Sequence, residues 1–98
     1  MSFRLNFSND AAQQLKALSE NPAIMKRPKA VRSALGKLEP KPRHPRLNTH
    51  KYNGYAGSNG EPAFEAYAEN NTPGAYRIFW HYGPEKNMIT VLAITPHP

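Results

Sequence analysis

The chain has 98 residues, 39% of them hydrophobic, and a net charge of +6, which is material for one small domain around a modest core. Cysteine is absent, so disulfides, thiolate metal sites and thiol catalysis are excluded. No apolar run reaches the roughly 18 residues of a membrane span, and MSFRLNFSND lacks the apolar stretch of a signal peptide, so a cytoplasmic protein is expected.

From the N-terminus, Phe3-Arg-Leu-Asn-Phe7 alternates apolar and polar, which predicts a strand with Phe3, Leu5 and Phe7 inward. Ser8, Asn9 and Asp10 are N-cap candidates for a helix over about 9–20. Ala11, Leu15 and Leu18 form its apolar stripe, with Gln13, Gln14 and Lys16 on the wet side. Asn21-Pro22 is a second start signal. Ile24, Val31, Leu35 and Leu38 keep a helical stripe, but Pro28 interrupts it, and proline inside a helix costs about 3 kcal/mol. A short turn at 22–26 and a fresh helix over about 28–38 are predicted, with Glu39-Pro40 as the stop.

Residues 26–51 then hold nine Lys or Arg against one acid, Glu39, a local charge of +8. Such a block attracts polyanions, nucleic acid above all, although a solvated helix face beside a basic loop accounts for the same charge. Pro40, Pro42 and Pro45 force an extended path, and residues 53–60 read as a flexible loop with three glycines in eight residues. Three strands follow, at 63–69, 75–82 and 88–94. The second places Tyr76, Ile78, Trp80 and Tyr82 on one face, with Arg77, Phe79 and His81 on the other. Asn71-Thr-Pro-Gly74 is a turn, and residues 83–87 are a hairpin loop. The prediction is a single α+β domain over 1–98, with two N-terminal helices packed on a mostly antiparallel four-stranded sheet in the order β-α-α-β-β-β.

That order and three segments resemble the RelE/ParE toxin superfamily of bacterial toxin–antitoxin systems. Leu38-Glu-Pro-Lys-Pro-Arg-His-Pro-Arg46 is similar to the family's leucine, proline and Arg/His-Pro segment after the second helix. Ala75-Tyr-Arg-Ile-Phe-Trp80 resembles its Tyr-Arg-Val-Ile-Tyr strand. Val91-Leu-Ala-Ile94 resembles the strand that precedes a Gly-His-Arg-type tail. The resemblance implies a RelE-like toxin that cuts messenger RNA on the ribosome and is neutralised by an antitoxin protein. It also implies Arg77 as a catalytic or phosphate-binding residue and His97 as a terminal proton-transfer residue. Arg43, Arg46, His50 and Lys51 become RNA contacts, and His81 shares the Arg77 face. A ParE-like module that poisons DNA gyrase, or a non-catalytic nucleic-acid-binding domain of the same fold, is the alternative. The chain departs from the pattern at Thr95-Pro96, where Gly-His is common, and at Glu65 and Glu69, where cations would be expected near RNA.

RNA cleavage without a metal needs a base for the 2′-hydroxyl, an acid for the leaving oxygen and a cation for the developing charge. The Arg77 guanidinium is a suitable cation if it faces the basic connector. If it lies against carboxylates, or on the opposite side from that connector, the nuclease reading built on it collapses and only the shared architecture survives. His44, His50, His81 and His97 lack ligand spacing, so no metal or other cofactor is expected. Tyr52 and Tyr55 either stack on bases or close a small core.

Overall fold

The computed structural model describes residues 2–20, 26–70 and 73–96. Strand β1 is Arg4–Phe7, followed by helices α1 (Asn9–Glu20) and α2 (Lys26–Leu38) and a 3-10 turn at Pro45–Leu47. Strands β2 (His50–Ala56), β3 (Pro62–Tyr67), β4 (Tyr76–Tyr82) and β5 (Met88–Pro96) complete the chain. The sheet order is β1-β5-β4-β3-β2, with β1 parallel to β5 and every other pair antiparallel.

The expected four strands are therefore five. The extra one, β2, lies in the stretch read as basic connector and flexible loop. Asn53 and Gly54 are poor strand formers and hide the signal, but an edge strand needs a ladder on one side only. His50, Lys51 and Tyr52 pair with Glu65, Phe64 and Ala63, and then Ala56 pairs with Pro62, so residues 53–55 bulge out. What remains of the loop is a tight turn, in which Gly60 N–H donates to Gly57 O at 2.9 Å.

Both helices cover one face of the sheet. Ala11, Leu18, Val31, Leu35 and Leu38 from the helices meet Ala66, Ile78, Trp80, Ile89, Val91 and Ile94 from the strands, with Phe3, Leu5 and Phe7 packed against them. Pro28 sits in the first turn of α2, where a missing N–H costs nothing. The predicted turn at 22–26 lies largely outside the described residues, as does the 71–72 half of the turn before β4.

Two side chains tie α1 to β5. Ser8 caps the helix, accepting Ala11 N–H at 3.0 Å, while its hydroxyl donates to Leu92 O at 2.9 Å. Gln14, expected on the wet side, accepts Ile94 N–H at 2.7 Å. The reason is a bulge: Phe79 pairs with Ala93 but Trp80 with Val91, so Leu92 is an extra residue. It turns Ile94 rather than Ala93 toward the helices and frees backbone groups that Ser8 and Gln14 take up.

Among the described residues the other face carries no helix. Glu65, Arg77, Phe79 and His81 lie there and are nevertheless buried. Tyr52 and Tyr55 of β2 cover Phe79, His50 meets Glu65, and Tyr67 lies over Arg77.

Candidate functional site

A connected polar cluster occupies the end of the open face where β2 begins. Strand pairing places His50 opposite Glu65 and Tyr67 opposite Arg77, and period-two alternation turns all four to the same side. His50 Nε2 is 2.7 Å from Glu65 Oε1, and Arg77 Nε is 3.5 Å from Glu65 Oε2. Arg77 also donates to Glu69 O at 2.6 Å and Tyr76 O at 3.3 Å. Its guanidinium carbon lies 3.7 Å from the centroid of the Tyr67 ring, and that ring meets His50 edge-on at 5.6 Å.

The members differ sharply in exposure. Glu65 is 1% exposed and Arg77 8%, whereas 46% of the His50 side chain meets solvent. The imidazole is thus the face that the buried carboxylate shows to the outside. Its Nδ1 stands 2.9 Å from Asn48 O. With an acceptor at each ring nitrogen, both contacts are donated at once only by the doubly protonated ring.

Next to Tyr67 a cleft of about 390 Å³ opens between α2, the 3-10 turn and the end of β3. Its walls include Ser33, Lys37, Arg46, Asn48, Tyr67 and Asn70. The cleft opens where β2 starts at His50 and leaves Ala66 and Tyr67 of β3 paired to β4 only. Tyr67 belongs to both cleft and cluster.

The sequence-based candidates scatter over the molecule. Arg46 lines the cleft and His50 forms the cluster. Arg43 stands over the Phe64 ring at 5.7 Å on the helix side. Lys51 is exposed and pairs in register with Phe64, so it also faces that side. His81 is buried at the far end of β4, with Nδ1 2.7 Å from Tyr82 O, beside Glu61 rather than Arg77. His97 lies outside the described residues.

Arg77 requires a correction. It was expected to hold its guanidinium toward a phosphate from the basic wall. Instead it lies on the face away from the helices, engaged with a carboxylate, two carbonyls and an aromatic ring. Its charge is neutralised within the protein, and its geometry is that of a positioning residue for Glu65.

From sequence alone Glu65 stood only as a departure from the family pattern and a possible partner of Arg77, not as a member of the site. A single acid in the apolar run Ala63-Phe-Glu-Ala-Tyr67 was the available signal, since a carboxylate buried in a strand needs a partner.

No family model and no curated protein matches the chain in sequence. Solved structures match it in shape. The archaeal RelE–RelB complex from Pyrococcus horikoshii OT3 superposes with a TM-score of 0.64 at 20% identity over 98% of this chain and 96% of that one. The YoeB dimer from Staphylococcus aureus gives 0.63 at 15% identity, covering 98% of both chains. The YoeB/ParE toxin from Agrobacterium tumefaciens gives 0.66 at 8% identity, covering 97% and 99%. The class is an α+β domain with two helices on one face of a five-stranded sheet. More narrowly, the chain has the fold of the RelE/ParE toxin superfamily, spanning nearly the whole length of these structures.

Proposed function

We propose that the chain is a RelE-like toxin that cleaves messenger RNA on the ribosome, with His50 as the acid–base residue. The observation that supports this is the exposed imidazole backed at 2.7 Å by a buried carboxylate, beside a cleft holding two cations. In the proposed reaction the 2′-oxygen attacks the adjacent phosphorus, and the bond to the 5′-oxygen breaks. The products are a 2′,3′-cyclic phosphate and a 5′-hydroxyl. Neutral His50, holding Glu65 through Nε2–H, takes the 2′-proton on Nδ1 as the substrate hydroxyl displaces Asn48 O from that nitrogen. Glu65 orients the ring and stabilises the imidazolium, as the carboxylate of a Ser-His-Asp triad does for its histidine. Lys37 and Arg46 offset the charge that develops on the phosphate oxygens. The Tyr67 hydroxyl is the donor at hand for the leaving oxygen. Arg77 fixes Glu65 and Tyr67 and touches no substrate. The RelE–RelB complex among the similar structures supports an antitoxin protein as partner.

A second reading rests on the same Arg77 geometry. With that guanidinium neutralised internally, the fold serves as a binding module without chemistry, of the ParE-like, gyrase-inhibiting kind or as a simple nucleic-acid binder.

A translation reaction containing the purified chain separates them. Discrete cuts in the message that fall about 10²- to 10⁴-fold in folded His50→Ala support the ribonuclease. Intact messages overturn it. DNA damage on expression, with messages intact, selects the gyrase-directed module.

A further inference from the structure

The centre of the open face holds an aromatic group that the proposed reaction does not use. Tyr52 and Tyr55 of β2 both lie on the Phe79 ring of β4, with centroids at 4.7 and 4.9 Å and tilts of 50° and 48°. Their own rings are 5.7 Å apart. Phe79 is fully buried and Tyr52 half-buried, whereas Tyr55 is 40% exposed.

Tyr55 shares the cover of Phe79 with Tyr52. In a regular strand, residues three apart point to opposite faces. The bulge at 53–55 brings Tyr55 back to the side of Tyr52. Gly54 is part of the same device, because a Cβ there would overlap the Tyr52 ring. A bulge and a glycine together therefore set a second tyrosine over Phe79 and leave it 40% exposed.

The surroundings indicate what that ring receives. From Tyr52 to Gly60 no residue is charged, while His50 stands on the same face at one end of the patch and Arg46 lines the cleft beyond it. Tyr52 is two residues from His50, about 7 Å along the strand. A strand whose phosphates lie at the cationic end would lay its neighbouring base on the neutral rings.

We infer that Tyr55, supported by Tyr52 and Phe79, is a stacking platform for one unpaired nucleobase of single-stranded RNA, adjacent to the nucleotide at His50. The platform rests on the ribonuclease reading only for the identity of the polymer. Stacking tolerates any base, so the site fixes the path of the strand rather than its sequence.

The test uses a fluorescein-labelled 2′-O-methyl RNA of about eight nucleotides, within the usual length range for single-strand sites. It has no free 2′-hydroxyl and cannot be cut, so binding is measured apart from cleavage. Tyr55→Ala is expected to weaken binding about tenfold, and Tyr55→Phe to retain it. The slope of log affinity against log salt should be unchanged in Tyr55→Ala, since a stack releases no counterions. Tyr55→Trp supplies a second readout, with indole fluorescence that should quench as the oligonucleotide binds.

Tyr55→Ala binding within about twofold of the parent chain, where losing a stack should cost more, overturns the platform. So does a loss that comes with a shallower salt slope, an unquenched Trp at position 55 in a bound complex, or a parent chain that does not bind the oligonucleotide. Tyr55-dependent binding without message cleavage keeps the platform and removes the ribonuclease. Cleavage with binding indifferent to Tyr55 does the reverse.

Discussion

Glu65 and Arg77 neutralise one another inside the open face of the sheet, at 3.5 Å, with 2% and 9% of their side chains exposed. Arg77→Ala would leave the carboxylate buried without its cation and Glu69 O without its donor. A loss of about 3–5 kcal/mol is expected, a large part of the stability of a small domain. Urea unfolding of Arg77→Ala, Glu65→Gln and the double variant measures it. The double variant should lose less than the sum of the singles. Because unfolding alone would silence Arg77→Ala, the activity test belongs at the exposed His50.

The cleft cations predict a salt signature. Arg46 is exposed, and Lys37 Nζ is held 2.7 Å from Ser33 Oγ one helical turn earlier. If each neutralises one phosphate, each alanine variant should reduce the log–log salt slope of single-strand binding by about 0.7. Titrations with a single-stranded RNA between low and moderate salt give the slopes directly. Unchanged slopes in both variants would remove the cleft from the RNA path.

Ser8 joins a helix cap to the β5 bulge through one hydroxyl. Ser8→Ala deletes the acceptor for Ala11 N–H and the donor to Leu92 O. A loss of about 1–2 kcal/mol is expected, read as a lower unfolding midpoint. Ser8→Asp keeps the cap but cannot donate to the carbonyl, so it should recover only part of the loss.

The turn after β2 should respond to acid. The Glu61 carboxyl lies below the ordinary glutamate value because its own backbone N–H and that of Asn59 donate to it, aided by the charge of His81 and opposed by burial. A carboxyl lowered in the folded state contributes stability above its unfolded value, and the contribution is lost as pH falls through the folded one. A side-chain NMR titration should therefore place Glu61 below a free glutamate. The Asn59 amide should shift over the same acid range. Glu61→Gln should abolish that shift while leaving the β3–β4 amides in place.

What the sequence disclosed and what it hid divide along physical lines. Helix α1 and strands β4 and β5 were legible because burial on one side imposes a period, and Ser8 and Pro28 mark helix starts by local chemistry. Strand β2 was not, since its stability comes from a neighbour and its residues 53–55 break every strand rule. Arg77 was placed on the correct face, with Glu65 or Glu69 as the alternative partner to a phosphate. Period-two counting shows which way a side chain points, but the approach of Glu65 from the next strand depends on register, which no local pattern encodes. For the same reason the His50–Glu65 pair, 15 residues apart in the chain, could not be seen before the strands were aligned. The basic block gave the sign of the cleft without its walls.

The extra residue at Leu92 absorbs one residue of length without changing which side chains reach the interior. Removing it would close the bulge and leave Ala93 opposite Phe79 and Ile94 opposite Ile78, on the faces they now hold, while taking away the carbonyl that the Ser8 hydroxyl reaches. A shortening by one amino acid there would therefore loosen the tie from α1 rather than disorder the interior.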